Sequence, residues 1–138
     1  MSMTIHVDIV SAERQIYSGL AQMVFAPAEH GEVGIAPRHA PFISRMTPGE
    51  VRVKLSEQET LPFFISGGIL EVQPHVVSVL ADTAIRARDI DEAAALEAKR
   101  RAEEALTDKS GKIDYARAQA ELALAMQQLR TLEKYRKS

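Results

Sequence analysis

The chain has 138 residues, 46% of them hydrophobic and 26% charged, with no cysteine and a formal net charge of −2. That size predicts one compact domain, or one small domain with an appendage. Disulfides and thiolate metal sites are excluded, and no apolar run is long enough to span a membrane. Met1 to His6 lacks a basic region followed by an apolar core, so no secretory signal is expected there and a cytoplasmic location is the default. The charge divides unevenly. Residues 1–82 carry five Lys/Arg against nine Asp/Glu, and residues 83–138 carry twelve against ten. A bias this small, without interleaved aromatics to stack bases, argues against a nucleic-acid partner and suits docking on acidic protein surface.

Up to about Ala81 the apolar residues repeat every second position. Ile5, Val7 and Ile9 alternate with Thr4, His6 and Asp8, and Val51, Val53 and Leu55 alternate with Arg52 and Lys54. Such alternation buries one face of a strand and leaves the other wet. Ser18-Gly19, His30-Gly31, Thr47-Pro48-Gly49, Ser66-Gly67-Gly68 and Gln73-Pro74 punctuate the segments as predicted turns. Phe63-Phe64-Ile65 and Val76 to Leu80 are nearly continuous apolar runs, the pattern of central core strands. Many short strands joined by tight turns predict a sandwich or flattened barrel.

After Thr83 the composition changes. Glycine occurs once, at Gly111, proline not at all, and alanine becomes abundant. Asp89 is a candidate N-cap, with Glu92 completing a capping box, for a helix from about Ile90 to Leu106 that carries a Glu97–Arg101 pair. Thr107 to Lys112 reads as a turn. Asp114 then caps a second helix to about Lys134, with the stripe Tyr115, Ala118, Leu122, Ala125, Leu129 and Leu132. The reading is an all-β domain over residues 1–84 followed by an antiparallel helical hairpin over residues 85–138. The seam of the hairpin is mostly alanine, which removes little apolar area from water. High helix propensity with weak tertiary packing predicts an element able to detach and stay helical.

Groups for chemistry are sparse. Glu29, His30, Glu32 and His39 have the residue types of a metal site, but Gly31, Gly34 and Pro37 place them in turns with no familiar ligand spacing. No serine sits in a Gly-x-Ser-x-Gly context. Ser66-Gly67-Gly68 leads into a strand and not into a helix N-terminus, so it reads as a hairpin turn requiring positive φ, not as a phosphate loop. No catalytic residue and no metal ligand is assigned.

Three stretches carry a resemblance: Gly31 to Pro41 (GEVGIAPRHAP), Ile65 to Val72 (ISGGILEV) and Val79 to Ala84 (VLADTA). With Val10-Ser11-Ala12-Glu13 they make the chain resemble, over essentially its whole length, the epsilon subunit of bacterial F-type ATP synthases. The resemblance implies a ten-stranded β-sandwich at the foot of a central stalk, against the gamma subunit and the membrane rotor ring. It also implies a two-helix hairpin that folds on the sandwich or extends into the alpha/beta catalytic head to block ATP hydrolysis. The chain would then be a non-catalytic coupling and regulatory subunit, peripheral on the cytoplasmic face of the inner membrane and not inserted into it. By the same resemblance Ser11 matches a gamma contact, and Glu32 to His39 the surface facing the ring. Arg100, Lys109, Ser110 and Lys112 fall where the hairpin meets an acidic segment of the head.

One departure bears on ligands. Some family members bind ATP through Ile or Leu, Asp, two variable residues, Arg and Ala. Here the stretch is Ile90-Asp91-Glu92-Ala93-Ala94-Ala95, with Ala94 in place of the arginine. Ile90, Asp91 and Arg101 remain as candidate contacts, but a charge-assisted phosphate partner is lost. No cofactor is expected, and ATP is expected to bind weakly or not at all. The alternatives, a stand-alone nucleotide-sensing module and a metalloenzyme using His30 and His39, rank below the stalk subunit.

Overall fold

The structure, a computed structural model, describes residues 3–107 and 114–137. Ten strands come first: β1 (Ile5–Val10), β2 (Gln15–Ala21), β3 (Met23–Ala28), β4 (Gly31–Ile35), β5 (Phe42–Met46), β6 (Gly49–Lys54), β7 (Thr60–Ile65), β8 (Gly68–Val72), β9 (Val76–Ala81) and β10 (Ala84–Arg86). A 3-10 turn over Ala87–Asp89 leads to helices α1 (Glu92–Thr107) and α2 (Tyr115–Lys137). The strands hydrogen-bond in the order β10-β7-β6-β3-β5-β8-β9-β1-β2, with β4 beside β3. All pairs are antiparallel except β1 with β9. The two ends of this order approach each other, because Arg86 of β10 donates to the Ile16 carbonyl of β2 at 3.3 Å. The result is a sandwich close to a flattened barrel.

The period-two pattern accounts for the core. Ile5, Val7, Ile9, Val51, Val53, Phe63, Ile65, Val77 and Val79 are buried inside the sandwich. Alternating side chains on each strand therefore meet between the two layers. The Phe63-Phe64-Ile65 run has a different origin from that of an ordinary core strand. Phe63 and Ile65 point into the sandwich, whereas Phe64 belongs to a second apolar cluster with Ala87, Ile90 and Leu132. The hairpin covers the outer face of β7, so this strand is wanted apolar on both sides.

Several local expectations need correction. Val76 to Leu80 is not buried on both faces: Val77 and Val79 are inside, but Leu80 is 44% exposed. Ser18 and Gly19 lie within β2 and form no turn. A Cβ at Gly19 would stand 2.8 Å from the Tyr17 hydroxyl, so the glycine makes room for that ring. Gly67 and Gly68 do adopt positive φ, 125° and 136°. They join no hairpin, however, since β7 pairs with β6 and β10 while β8 pairs with β5 and β9. They carry the chain between layers, and a Cβ at Gly68 would lie 2.1 Å from the Leu80 carbonyl oxygen.

The N-cap of α1 is Asp91, not Asp89. The Asp91 carboxylate accepts from the Ala94 N–H at 3.1 Å, and the 3-10 turn takes up Asp89. Asp114 caps α2 as expected, accepting from the Arg117 N–H at 3.2 Å, and the helix continues to Lys137. Glu97 pairs with Arg100 and not with Arg101, and Arg100 also reaches Glu104. Ala118, Ala125 and Leu132 are buried along α2, as are Ala95 and Ala102 along α1, whereas Tyr115 is 45% exposed. Arg136 near the end of α2 donates to Glu92 at the start of α1, as the antiparallel arrangement allows.

Candidate functional site

The hairpin and the sandwich meet along β6 and β7. Phe64, Ala87, Ile90 and Leu132 form the apolar contact, with Ile85 and Leu124 packed at its edge. Ile90 is thus a docking residue, and Asp91 is a helix cap. Arg101 lines a groove of about 440 Å³ between the helices and the sandwich, together with Ser66, Thr83, Glu121 and Gln128. The three candidate nucleotide contacts therefore have three different surroundings. No guanidinium stands at position 94 to unite them.

Beside this contact lies a charged cluster that the sequence did not signal as a unit. Arg52 on β6 donates to both carboxylate oxygens of Glu32 on β4, at 2.9 and 3.0 Å, and reaches Glu50 at 3.5 Å. Its guanidinium also lies 4.6 Å over the Phe25 ring. The hydrogen bond from Arg52, opposed by partial burial, holds the Glu32 carboxyl below its ordinary 4.5, and Lys134 of α2 adds to the lowering. The alternation Glu50-Val51-Arg52-Val53 was the available signal: with the valines inside, Glu50 and Arg52 share the outer face.

The other candidates lie on separate surfaces. Ser11, in the β1–β2 link, accepts from the Arg14 N–H at 3.4 Å and donates to the Arg14 carbonyl at 3.3 Å, closing its own turn. His39 Nδ1 donates to the Ala40 carbonyl at 2.7 Å, and its ring lies edge-on to Phe42. Among the described residues no group of three or more His, Asp or Glu is arranged to hold a metal, so His30 and His39 do not converge into a centre. Arg100 is held within α1 by Glu97 and Glu104. Lys109, Ser110 and Lys112 lie outside the described residues.

The outer face of the opposite layer supplies two features missed in the sequence. One is apolar: Ile43, Leu20, Leu80 and Ile69 are 68, 60, 44 and 36% exposed, and Ile69 pairs directly with Leu80. A groove of about 600 Å³ runs from Phe42, Ile43 and Ile69 to His30 and Glu32 at the β3–β4 tip. The other joins His6, Asp8 and Ser18. The Ser18 hydroxyl donates to Asp8 Oδ1 at 2.7 Å, while His6 Nε2 is 3.0 Å from that oxygen and 3.1 Å from Ser18 Oγ. These are the residue types of a nucleophilic triad in the wrong arrangement. Serine and aspartate crowd the same ring nitrogen, and the hydroxyl proton goes to the carboxylate, so no base is oriented toward the serine.

Residues 4–87 match the family model described as the ATP synthase delta/epsilon chain β-sandwich domain, and residues 88–133 the long alpha-helix domain of the same chain. The chain belongs to the ATP synthase delta/epsilon family. It is 66% identical to ATP synthase epsilon chain 1 of Methylococcus capsulatus, over 99% of this chain and 98% of that one. With the epsilon chain of Nitrosococcus oceani it shares 67% over the same proportions. Membership agrees with an accessory chain and not a catalytic one. The fold is similar to a chain of the Euglena gracilis mitochondrial ATP synthase, with a TM-score of 0.81 at 18% identity over 94% of this chain and 81% of that one. A chain from the central stalk and c-ring of the Tetrahymena thermophila mitochondrial enzyme matches at 0.61 and 8% identity, over 95 and 98%. Among the described residues of this delta/epsilon family member, no helix is long and apolar enough to cross a membrane.

Proposed function

We propose that this chain is a central-stalk subunit of an F-type ATP synthase whose hairpin is a detachable brake on ATP hydrolysis. The observation that carries this reading is the thinness of the junction. The apolar contact between hairpin and sandwich has three large buried side chains, Phe64, Ile90 and Leu132, with Ala87 beside them and Ile85 and Leu124 at its edge. At about 1.5–3 kcal/mol for each buried side chain, a partner surface of ordinary size competes with that contact. The helices themselves are held by caps, propensity and ion pairs within α1 and α2, so they stay helical when detached.

The exposed apolar face of Ile43, Ile69 and Leu80 suits a permanent protein partner, the gamma subunit, with Ser11 at its margin. The β3–β4 tip with Glu32, and His39 nearby, would face the rotor ring. Arg100, with Lys109, Ser110 and Lys112, would meet the catalytic head. In that placement the chain is peripheral, on the cytoplasmic face of the inner membrane. No cofactor enters this reading. Asp91 is engaged by the Ala94 N–H, and the motif lacks its arginine, so ATP binds weakly or not at all. A micromolar site in calorimetry on the isolated chain would refute that last point.

The deciding experiment is ATP hydrolysis by an F-type complex stripped of its own epsilon subunit. It is titrated with the full chain and with a version ending at Arg88. Inhibition by the full chain alone is the expected result. Binding of both to gamma without inhibition by either would leave a coupling role and remove the brake.

A further inference from the structure

The apolar junction is not the whole of the contact between hairpin and sandwich. At the C-terminal end of α2, a groove of about 230 Å³ is lined by Glu32, Glu50 and Arg52 of the sandwich and by Arg130 and Lys134 of the helix. The ion pairs Arg100–Glu97, Arg100–Glu104, Arg117–Glu121 and Lys137–Glu133 each lie within one helix. Arg136–Glu92 joins the two helices to each other. Those contacts travel with the hairpin wherever it goes. In the groove, by contrast, the hairpin cations Arg130 and Lys134 share a lining with the sandwich carboxylates Glu32 and Glu50, and detachment separates them.

We propose that Glu32, Arg52 and Lys134 form an ionic latch between the β3–β4 tip and the docked end of α2. A cationic partner surface that takes up the Glu32 carboxylate releases the hairpin. The arrangement of charges gives the direction. Glu32 is half exposed at its tip, its side chain 49% accessible, so a partner can reach it. Its carboxylate is paired with Arg52 at 2.9 Å, and Lys134 lines the same groove without a close ion pair to it. Once it is drawn away, Arg52 and Lys134 share this surface with one carboxylate fewer, Glu50 and Glu57 remaining, and the hold on α2 weakens. The lowered carboxyl of Glu32, to which Lys134 contributes, agrees with this proximity. A contact on the sandwich is in this way transmitted to the hairpin without passing through the core.

The latch rests on the reading that the hairpin detaches, and the test separates the two. The chain has no cysteine, so Gln58→Cys on the sandwich and Ala123→Cys on α2 take spin labels alone. Pulsed EPR on the full chain then reads the docked and detached populations. Lys134→Gln and Glu32→Gln should each raise the ratio of detached to docked chains by about two- to fivefold at low salt, the range of an exposed ion pair. The double variant should exceed neither single, since both remove one contact, and half-molar salt should erase the differences. Leu132→Ala, which thins the apolar junction, should raise the detached population more than either. A rise with Leu132→Ala but none with Glu32→Gln overturns the latch and leaves the detachable hairpin standing. No rise with any variant overturns both.

Discussion

The sandwich and the hairpin are held by different physics. In the sandwich, β-branched and aromatic side chains from facing layers bury one another, and hardly a strand is stable without its neighbours. In the hairpin, the seam between α1 and α2 is alanine, and stability comes from within each helix: caps at Asp91 and Asp114, and charged pairs spaced three or four apart. One region is cooperative and resists partial opening. The other is locally complete and loses little of itself on leaving its neighbour. A molecule that must hold one partner constantly and another only at times needs both kinds of stability in one chain.

Substitutions can break this comparison or sharpen it. The largest effect should come from Phe63→Ala, fully buried in the sandwich, at about 3–5 kcal/mol in denaturant unfolding. Its neighbour Phe64 points at the hairpin, so Phe64→Ala should leave the sandwich folded while loosening the helices. Leu132→Ala is expected to cost about 2–3 kcal/mol of docking with helical circular dichroism retained. A loss of helicity in parallel would mean that the hairpin depends on the sandwich after all. Asp91→Ala removes the cap of α1 and should cost about 1 kcal/mol of helix stability, seen as faster amide exchange in its first turn.

The smallest effect concerns pH. Glu32 has its folded pKa lowered below 4.5, chiefly by the Arg52 hydrogen bond. Its contribution is therefore complete above the unfolded value and disappears as pH falls through the lowered one. Glu32→Gln should flatten that part of the acid limb in a stability titration and change nothing near neutrality beyond a constant offset.

Much of this architecture was legible because strand alternation and helix caps are local signals. Val51 and Val53 point inward by counting alone, and Asp114 announces a helix start without reference to anything distant. The errors share a cause. Asp89 and Asp91 are equivalent in a capping pattern, and the 3-10 turn that decides between them is set by burying Ala87. Ser18-Gly19 reads as a turn because glycine usually breaks strands, whereas here it yields space to Tyr17. The cluster of Glu32, Arg52 and Lys134 brings together residues that no periodicity links. Phe64 was visible as apolar, but what covers it lies in another domain.

The pairing of β1 has a consequence for how the chain is made. Its first strand lies between β2, its sequence neighbour, and β9, which runs parallel to it and ends at Ala81. Emerging from the ribosome, β1 can form a hairpin early but waits for nearly the whole sandwich sequence before its second edge is covered. Non-local pairing of this kind folds on the order of milliseconds to seconds, whereas a helix forms in about a microsecond. The helices follow the sandwich in translation, and form quickly once synthesised. A sandwich still open at that stage offers a bare strand edge to other chains, so overexpression of a fragment ending before β9 should give aggregates, not a folded subdomain.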